Sequence, residues 1–182
     1  MPHTFDEVGF YERVFVLRHF CHGSREFCTT KPNDRGEDWK DYRQWMKSIV
    51  TDHLINLSIK LRILQDSFRG TGIEIDFNRI ADEALHGLSI GHTSSDPKTL
   101  SIREACNKVI HATEVCLEWK ESAEISGDGD SEYWSGALTL RGEREGRPWE
   151  VYLCVDDFSI ALSRMIDSID DVSWEQLYEH DS

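Results

Sequence analysis

Between Asp38 and Phe68 apolar residues return at steps of three and four: Trp39, Tyr42, Trp45, Met46, Ile49, Val50, Leu54, Leu57, Leu61, Leu64 and Phe68. That period predicts one long amphipathic helix of about 30 residues, several turns beyond the usual length. Arg69-Gly70-Thr71-Gly72 ends it, because glycine readily takes the left-handed conformation that closes a helix. A helix this long buries its stripe only against several partners, so the chain is expected to build a bundle around it. Asp52, His53 and Asp66 fall beside the stripe and read as boundary residues.

Shorter elements surround this spine. Val8, Tyr11, Val14, Phe15 and Leu17 predict a first helix from about Phe5 to Phe20, with the polar stretch Cys21 to Asp38 as a loop. Ile73 to Phe77 reads as extended, and Asp76 as the cap of a short helix through Ile80, Ala84 and Leu85. Gly87 to Thr99, holding Gly91 and Ser94-Ser95-Asp96-Pro97, reads as a loop with His86 and His92 in or beside it. Ser101 stands three residues before Glu104, the capping-box spacing, and Ile102, Cys106, Val109 and Ile110 continue as a helical apolar face to Ala112.

After His111 the period drops to two. Val115, Leu117 and Trp119 alternate with polar residues, then Trp134, Gly136, Leu138 and Leu140, then Trp149, Val151, Leu153 and Val155, with Gly142 to Pro148 as the second turn. Asp156-Asp157 is placed to cap a last helix striped by Phe158, Ala161, Leu162, Met165, Ile166 and Ile169. The fold class expected is α+β, mainly α: a helical bundle with a C-terminal three-stranded antiparallel β-meander and a final helix. At 182 residues the chain reads as a single domain, 1–182. Its helical part covers about 5–113 and its meander plus helix about 114–170, with an acidic tail at 171–182.

Residues 1–120 carry 18 acidic and 16 basic side chains, residues 121–182 carry 16 and 4, so most of the net charge of −14 lies in the last third. Such a field repels nucleic acid at long range and argues against a non-specific duplex binder. No apolar run reaches the roughly 20 residues of a membrane span, and the start has no basic, apolar leader, so a cytoplasmic protein with no membrane contact is expected. The cysteines at 21, 28, 106, 116 and 154 form no Cys-x-x-Cys pair, and they are expected as reduced, buried thiols. Cys21, His22 and Cys28 fall short of a zinc set, and Ser126 to Ser131 lacks the ligand spacing and closing glutamate of a calcium loop. No metal or cofactor is expected.

The candidate site is on the helix opened by Ser101. Arg103, Asn107 and His111 stand four residues apart and line one face, each about 40° round from the last. A cation, an amide and an imidazole in one stripe can hold a phosphate and move a proton. Arg103-Glu104-Ala105-Cys106-Asn107-Lys108-Val109-Ile110-His111 and the order of elements resemble the HEPN superfamily, helical-bundle proteins of prokaryotic defence and toxin systems. Two sequence differences stand out: Cys106 directly precedes Asn107, and Arg103 is one residue further upstream of His111 than the family spacing.

The resemblance implies a metal-independent endoribonuclease acting on RNA. His111 would be its acid or base, Arg103 its phosphate fork and Asn107 the group that orients the imidazole. It also implies a homodimer, with the motif helices of two chains paired across a two-fold axis. The competing reading is a non-catalytic protein-interaction module of such a system, binding a protein partner through its acidic C-terminal third.

Overall fold

A computed structural model describes residues 5–29, 41–68, 76–121 and 132–170. The long apolar repeat forms α2, Tyr42–Phe68, which buries Met46, Val50, Leu54, Leu57, Leu61 and Leu64 along one side. Trp45 and Ile49 also fit the sequence repeat but stand exposed on the opposite side. Helix α1, Glu7–Thr29, runs antiparallel to α2. Asp6 meets Lys60 at 2.8 Å, Arg13 meets Asp52 at 3.1 Å, and Ser24 meets Tyr42 at 3.2 Å.

α1 continues well past the end expected at Phe20, through residues expected as loop. The continuation has a tertiary cause. Cys21, Ser24 and Cys28 extend the inward line of Phe10, Val14 and Leu17, and the Ser24 hydroxyl accepts from the Trp134 amide at 3.0 Å. Gly23 faces outward with open space around it, so its low helix propensity is the only local cost, about 1 kcal/mol. The loop at 30–40, the helix stop at 69–72, the stretch 73–75, the turn at 126–131 and the tail at 171–182 lie outside the described residues.

Asp76 caps α3, Phe77–Ala84, as its position requires, accepting from the amides of Asn78 and Arg79. Past Leu88 the structure corrects the expected loop: Gly91–Thr93 (β1) and Asp96–Thr99 (β2) form a small hairpin. β1 pairs with a distant strand, Gly91 against Leu153 and Thr93 against Val151. Gly91 takes φ +147, and a Cβ there would fall 2.2 Å from the Tyr152 carbonyl oxygen, so only glycine allows the approach.

After α4, Ile102–His111, come β3 (Glu114–Glu121), β4 (Glu132–Arg144) and β5 (Arg147–Cys154). The sheet is therefore antiparallel with five strands in the order β2-β1-β5-β4-β3, not the expected three. The turn expected over 142–148 shrinks to Glu145-Gly146, both at positive φ, the two-residue hairpin that matches strand twist. On β4, three residues bulge opposite Glu118, because Leu138 pairs with Leu117 while Trp134 pairs with Trp119. Gly136 sits in that bulge at φ +80, with the Cys21 side chain against it.

α5, Val155–Asp170, follows β5 without a gap. Asp156 and Asp157 consequently stand in its first turn rather than at the N-cap, and Asp157 accepts from the Ser89 amide at 3.2 Å. All six residues of its expected stripe are buried. Leu138, Leu140 and Leu153 are buried as the alternation requires; Val155, expected on the strand, is buried as the first residue of α5. Leu117 and Trp119 are half-buried, because β3 is an edge strand; among the described residues Trp119 meets the start of α2, at Tyr42 and Arg43. One continuous core joins all five helices to β4 and β5. Among the described residues no helix is long and apolar enough to cross a membrane.

Candidate functional site

The helix that carries the candidate stripe is fixed by its own first turn. The Ser101 hydroxyl accepts from the Glu104 amide at 3.2 Å, and the Glu104 carboxylate accepts from the Ser101 amide at 3.0 Å, completing the capping box. Ile102, Ala105, Cys106 and Val109 are buried, and α4 lies on the flank of α2. Burial pushes the Cys106 thiol up to about 12, against the opposing influence of the Ser58 hydroxyl and the Arg62 charge. The residue before Asn107 therefore points into the core, where an arginine would have to shed its water.

Regular α4 geometry keeps Arg103, Asn107 and His111 on one face. Arg103 and Asn107 are half-buried and His111 is exposed in the last turn. That last turn is clamped to the β4–β5 hairpin. The Thr113 amide donates to the Arg141 carbonyl at 2.8 Å, and the Lys108 ammonium lies 4.0 Å from the Trp149 ring centre. Trp149 in turn covers Gly142, where a Cβ would fall 2.3 Å from the ring and 3.0 Å from the His111 carbonyl oxygen. Lys108 and His111 both suit the negative end of the helix dipole. Among the described residues, neither Asn107 nor His111 has a side-chain hydrogen-bond partner.

Two grooves among the described residues lie away from this stripe. A groove of about 710 Å³ runs along α1, past Tyr11, Phe15, Arg18, His19 and His22. A second, of about 510 Å³, lies between α3, the β1–β2 hairpin and the start of α4, at Leu85, Leu88, Thr93, Lys98 and Glu104. Neither includes Arg103, Asn107 or His111.

Three groups were not evident from sequence. Along the α1–α5 seam, Arg18 Nε and His22 Nε2 reach the two oxygens of Asp156 at 3.0 and 3.1 Å, and the Tyr11 hydroxyl donates to Asp167. Between α1 and α2, Arg13 donates to Asp52 at 3.1 Å and lies 3.2 Å from His53 Nδ1. Burial first, then the Arg13 charge, holds the His53 imidazole below its ordinary value. Arginine only donates, so Nδ1 accepts and the His53 proton sits on Nε2. The third group is the apolar outer side of α2, where Trp45, Ile49, Ile59 and Ile63 are 46%, 37%, 41% and 53% exposed. The first two groups join residues distant in sequence. The third was hidden within a helix that is apolar on two sides.

The residues weighed for zinc lead to three different surroundings. Cys21 lies against Gly136, with its thiol raised to about 12 by burial; His22 is exposed beside Asp156; Cys28 is buried 3.9 Å from the Ser24 hydroxyl. Among the described residues no three histidine, cysteine or carboxylate side chains gather as a metal site. The chain matches no protein-family model, no curated protein and no solved structure.

Proposed function

We propose that the chain is a non-catalytic protein-interaction module, of the kind its HEPN resemblance associates with defence or toxin systems. What supports this most is the exposed apolar line on α2, joined on the outer side of α1 by Val8 and Phe15. A soluble chain has no folding reason to leave six large apolar side chains on one side of a helical hairpin, and such patches mark contact surfaces. The acidic C-terminal third supplies a long-range field that disfavours nucleic acid. Its described residues expose no large apolar side chain, so the docking surface is assigned to the apolar line instead.

The nuclease reading keeps one specific support: His111 is exposed on the same face of a firmly capped helix as Asn107 and Arg103. One assay separates the two. Wild type and His111→Ala are incubated with a mixed RNA pool in excess EDTA, with circular dichroism confirming that both are folded. The module reading expects no cleavage by either. Cleavage by wild type that His111→Ala and Arg103→Lys abolish, leaving 2′,3′-cyclic phosphate ends, overturns it in favour of the endoribonuclease.

A further inference from the structure

The outer side of α2 follows a second period, distinct from the one that fills the core. Trp45, Ile49, Asp52, Asn56, Ile59 and Ile63 succeed one another at alternating steps of four and three. At about 100° per residue they fall within an arc of about 80°, the narrow seam of a helix that pairs with another helix. No described element covers it: the four apolar members are exposed, and α4 packs on Ser58 and Arg62, more than about 100° round from Asn56.

The seam reads the same in both directions about Leu54. Trp45 and Ile63 stand nine residues either side of it, Ile49 and Ile59 five, Asp52 and Asn56 two. Turned end for end against itself, it sets Trp45 on Ile63, Ile49 on Ile59, and Asp52 on Asn56. Apolar meets apolar at both ends, and a carboxylate meets an amide in the middle. Arg13 already neutralises Asp52 within its own chain, so two such carboxylates brought near one axis carry little repulsion.

α1 obeys the same symmetry independently. Its pairings with α2, Asp6 with Lys60, Arg13 with Asp52 and His53, and Ser24 with Tyr42, place Glu12 level with Leu54. Val8 and Phe15, the exposed apolar residues of α1's first half, lie four and three residues either side of Glu12. The operation that pairs Ile49 with Ile59 therefore also brings Val8 to Phe15. We infer that the outer faces of α1 and α2 dock on a second copy of this chain, the two antiparallel hairpins forming a four-helix bundle about a two-fold axis level with Leu54 and Glu12.

The inference rests on the interaction-module reading and names its partner. The seam is about 27 Å long at about 1.5 Å per residue, and two helices make it about 20 Å wide. That buries on the order of 1,000 Å² in total, about the lower bound for a specific interface, which places the dimer among weak, concentration-dependent ones. The surface belongs to residues 1–120, where acidic and basic side chains nearly balance, rather than to the acidic third. Among the described residues it sets Glu12 facing the second copy's Glu12, an unfavourable contact, so added salt should tighten the dimer. α4 lies on the flank of α2, more than about 100° round from Asn56 of the seam. The Arg103, Asn107 and His111 stripes of the two copies are thus kept apart, unlike in a dimer paired through α4.

Sedimentation equilibrium of the full chain, from about 1 to about 300 micromolar, tests it. Wild type should fit a monomer–dimer equilibrium. Ile59→Asp should weaken it at least about tenfold with circular dichroism and melting unchanged, since it places two charges in the seam. Asn56→Lys should keep or tighten the dimer, because end-for-end pairing sets the lysine on the second copy's Asp52, whereas parallel pairing sets lysine on lysine. Glu12→Gln should tighten it. A monomer at the highest concentration, a dimer indifferent to Ile59→Asp, or a dimer weakened by Asn56→Lys overturns the inference. None of these outcomes bears on the RNA assay, which tests the non-catalytic reading by itself.

Discussion

Trp134→Ala reaches both the core and the β4 bulge. The ring is fully buried, its Nε1–H donates to the Ala137 carbonyl at 2.6 Å, and its main-chain amide is held by Ser24 of α1. Removing a buried tryptophan ring costs about 3–5 kcal/mol in transfer and cavity terms. The Ala137 carbonyl, left without its donor inside the bulge, adds about 1–3 kcal/mol. The sum, about 4–8 kcal/mol, is a large part of the roughly 5–15 kcal/mol that holds a domain together, so this variant can fall below the folding threshold.

Trp134→Phe keeps the test usable. It retains most of the ring, loses the donor, and should cost about 1.5–3 kcal/mol. Trp119→Ala serves as the contrast. Its ring is half-buried, stacked under the Arg43 guanidinium at 4.8 Å and edge-on to Tyr42, and its loss should cost about 2 kcal/mol, below the range for a core ring. Urea unfolding followed by far-ultraviolet circular dichroism gives all three values without relying on fluorescence from six tryptophans. A Trp134→Phe change within about 0.5 kcal/mol of wild type refutes the bridging role of the indole. A Trp119→Ala cost of about 4 kcal/mol or more, in the range of a fully buried ring, refutes the placement of β3 at the edge.

Ser101→Ala should cost about 1 kcal/mol in the same assay by opening the capping box of α4, while an exposed control such as Ser94→Ala should cost nothing measurable. His53 is protonated less readily folded than unfolded, so the unfolded chain binds the extra proton and stability falls as pH drops below the imidazole's ordinary 6.5. Melting temperatures from about pH 7 to about pH 5 should therefore decline less steeply in His53→Gln than in wild type; an identical decline refutes the assignment. The Cys106 thiol, buried and raised to about 12, should resist a soluble disulfide reagent at about pH 8 until denaturant is added. Rapid labelling of Cys106 in the native protein, read by mass spectrometry, refutes its burial against α2.

Several parts of the site were legible because their causes lie within one or two turns. The Ser101–Glu104 box, the common face of Arg103, Asn107 and His111, and the inward line of Ile102, Cys106 and Val109 all follow from helical spacing. Whether anything stands opposite that face was not legible. It depends on how α4 lies against α2 and the β4–β5 hairpin, through Ser58, Arg62 and Trp149, residues far from it in sequence.

The same division runs through the fold. The repeat of α2, the stripe of α5 and the alternation of β4 and β5 are set by neighbours a few residues apart, and the sequence alone determined them. The second half of α1 was decided by Trp134 and Gly136, and β1–β2 by the open edge of β5, because backbone and burial partners across the chain supply what Cys21, Ser24 and Gly91 lack locally. Tertiary structure also decided which apolar side of α2 became core. A helix apolar on two sides has no local preference between them, and only the arrival of the sheet and α4 on one side left Trp45, Ile49, Ile59 and Ile63 on the other.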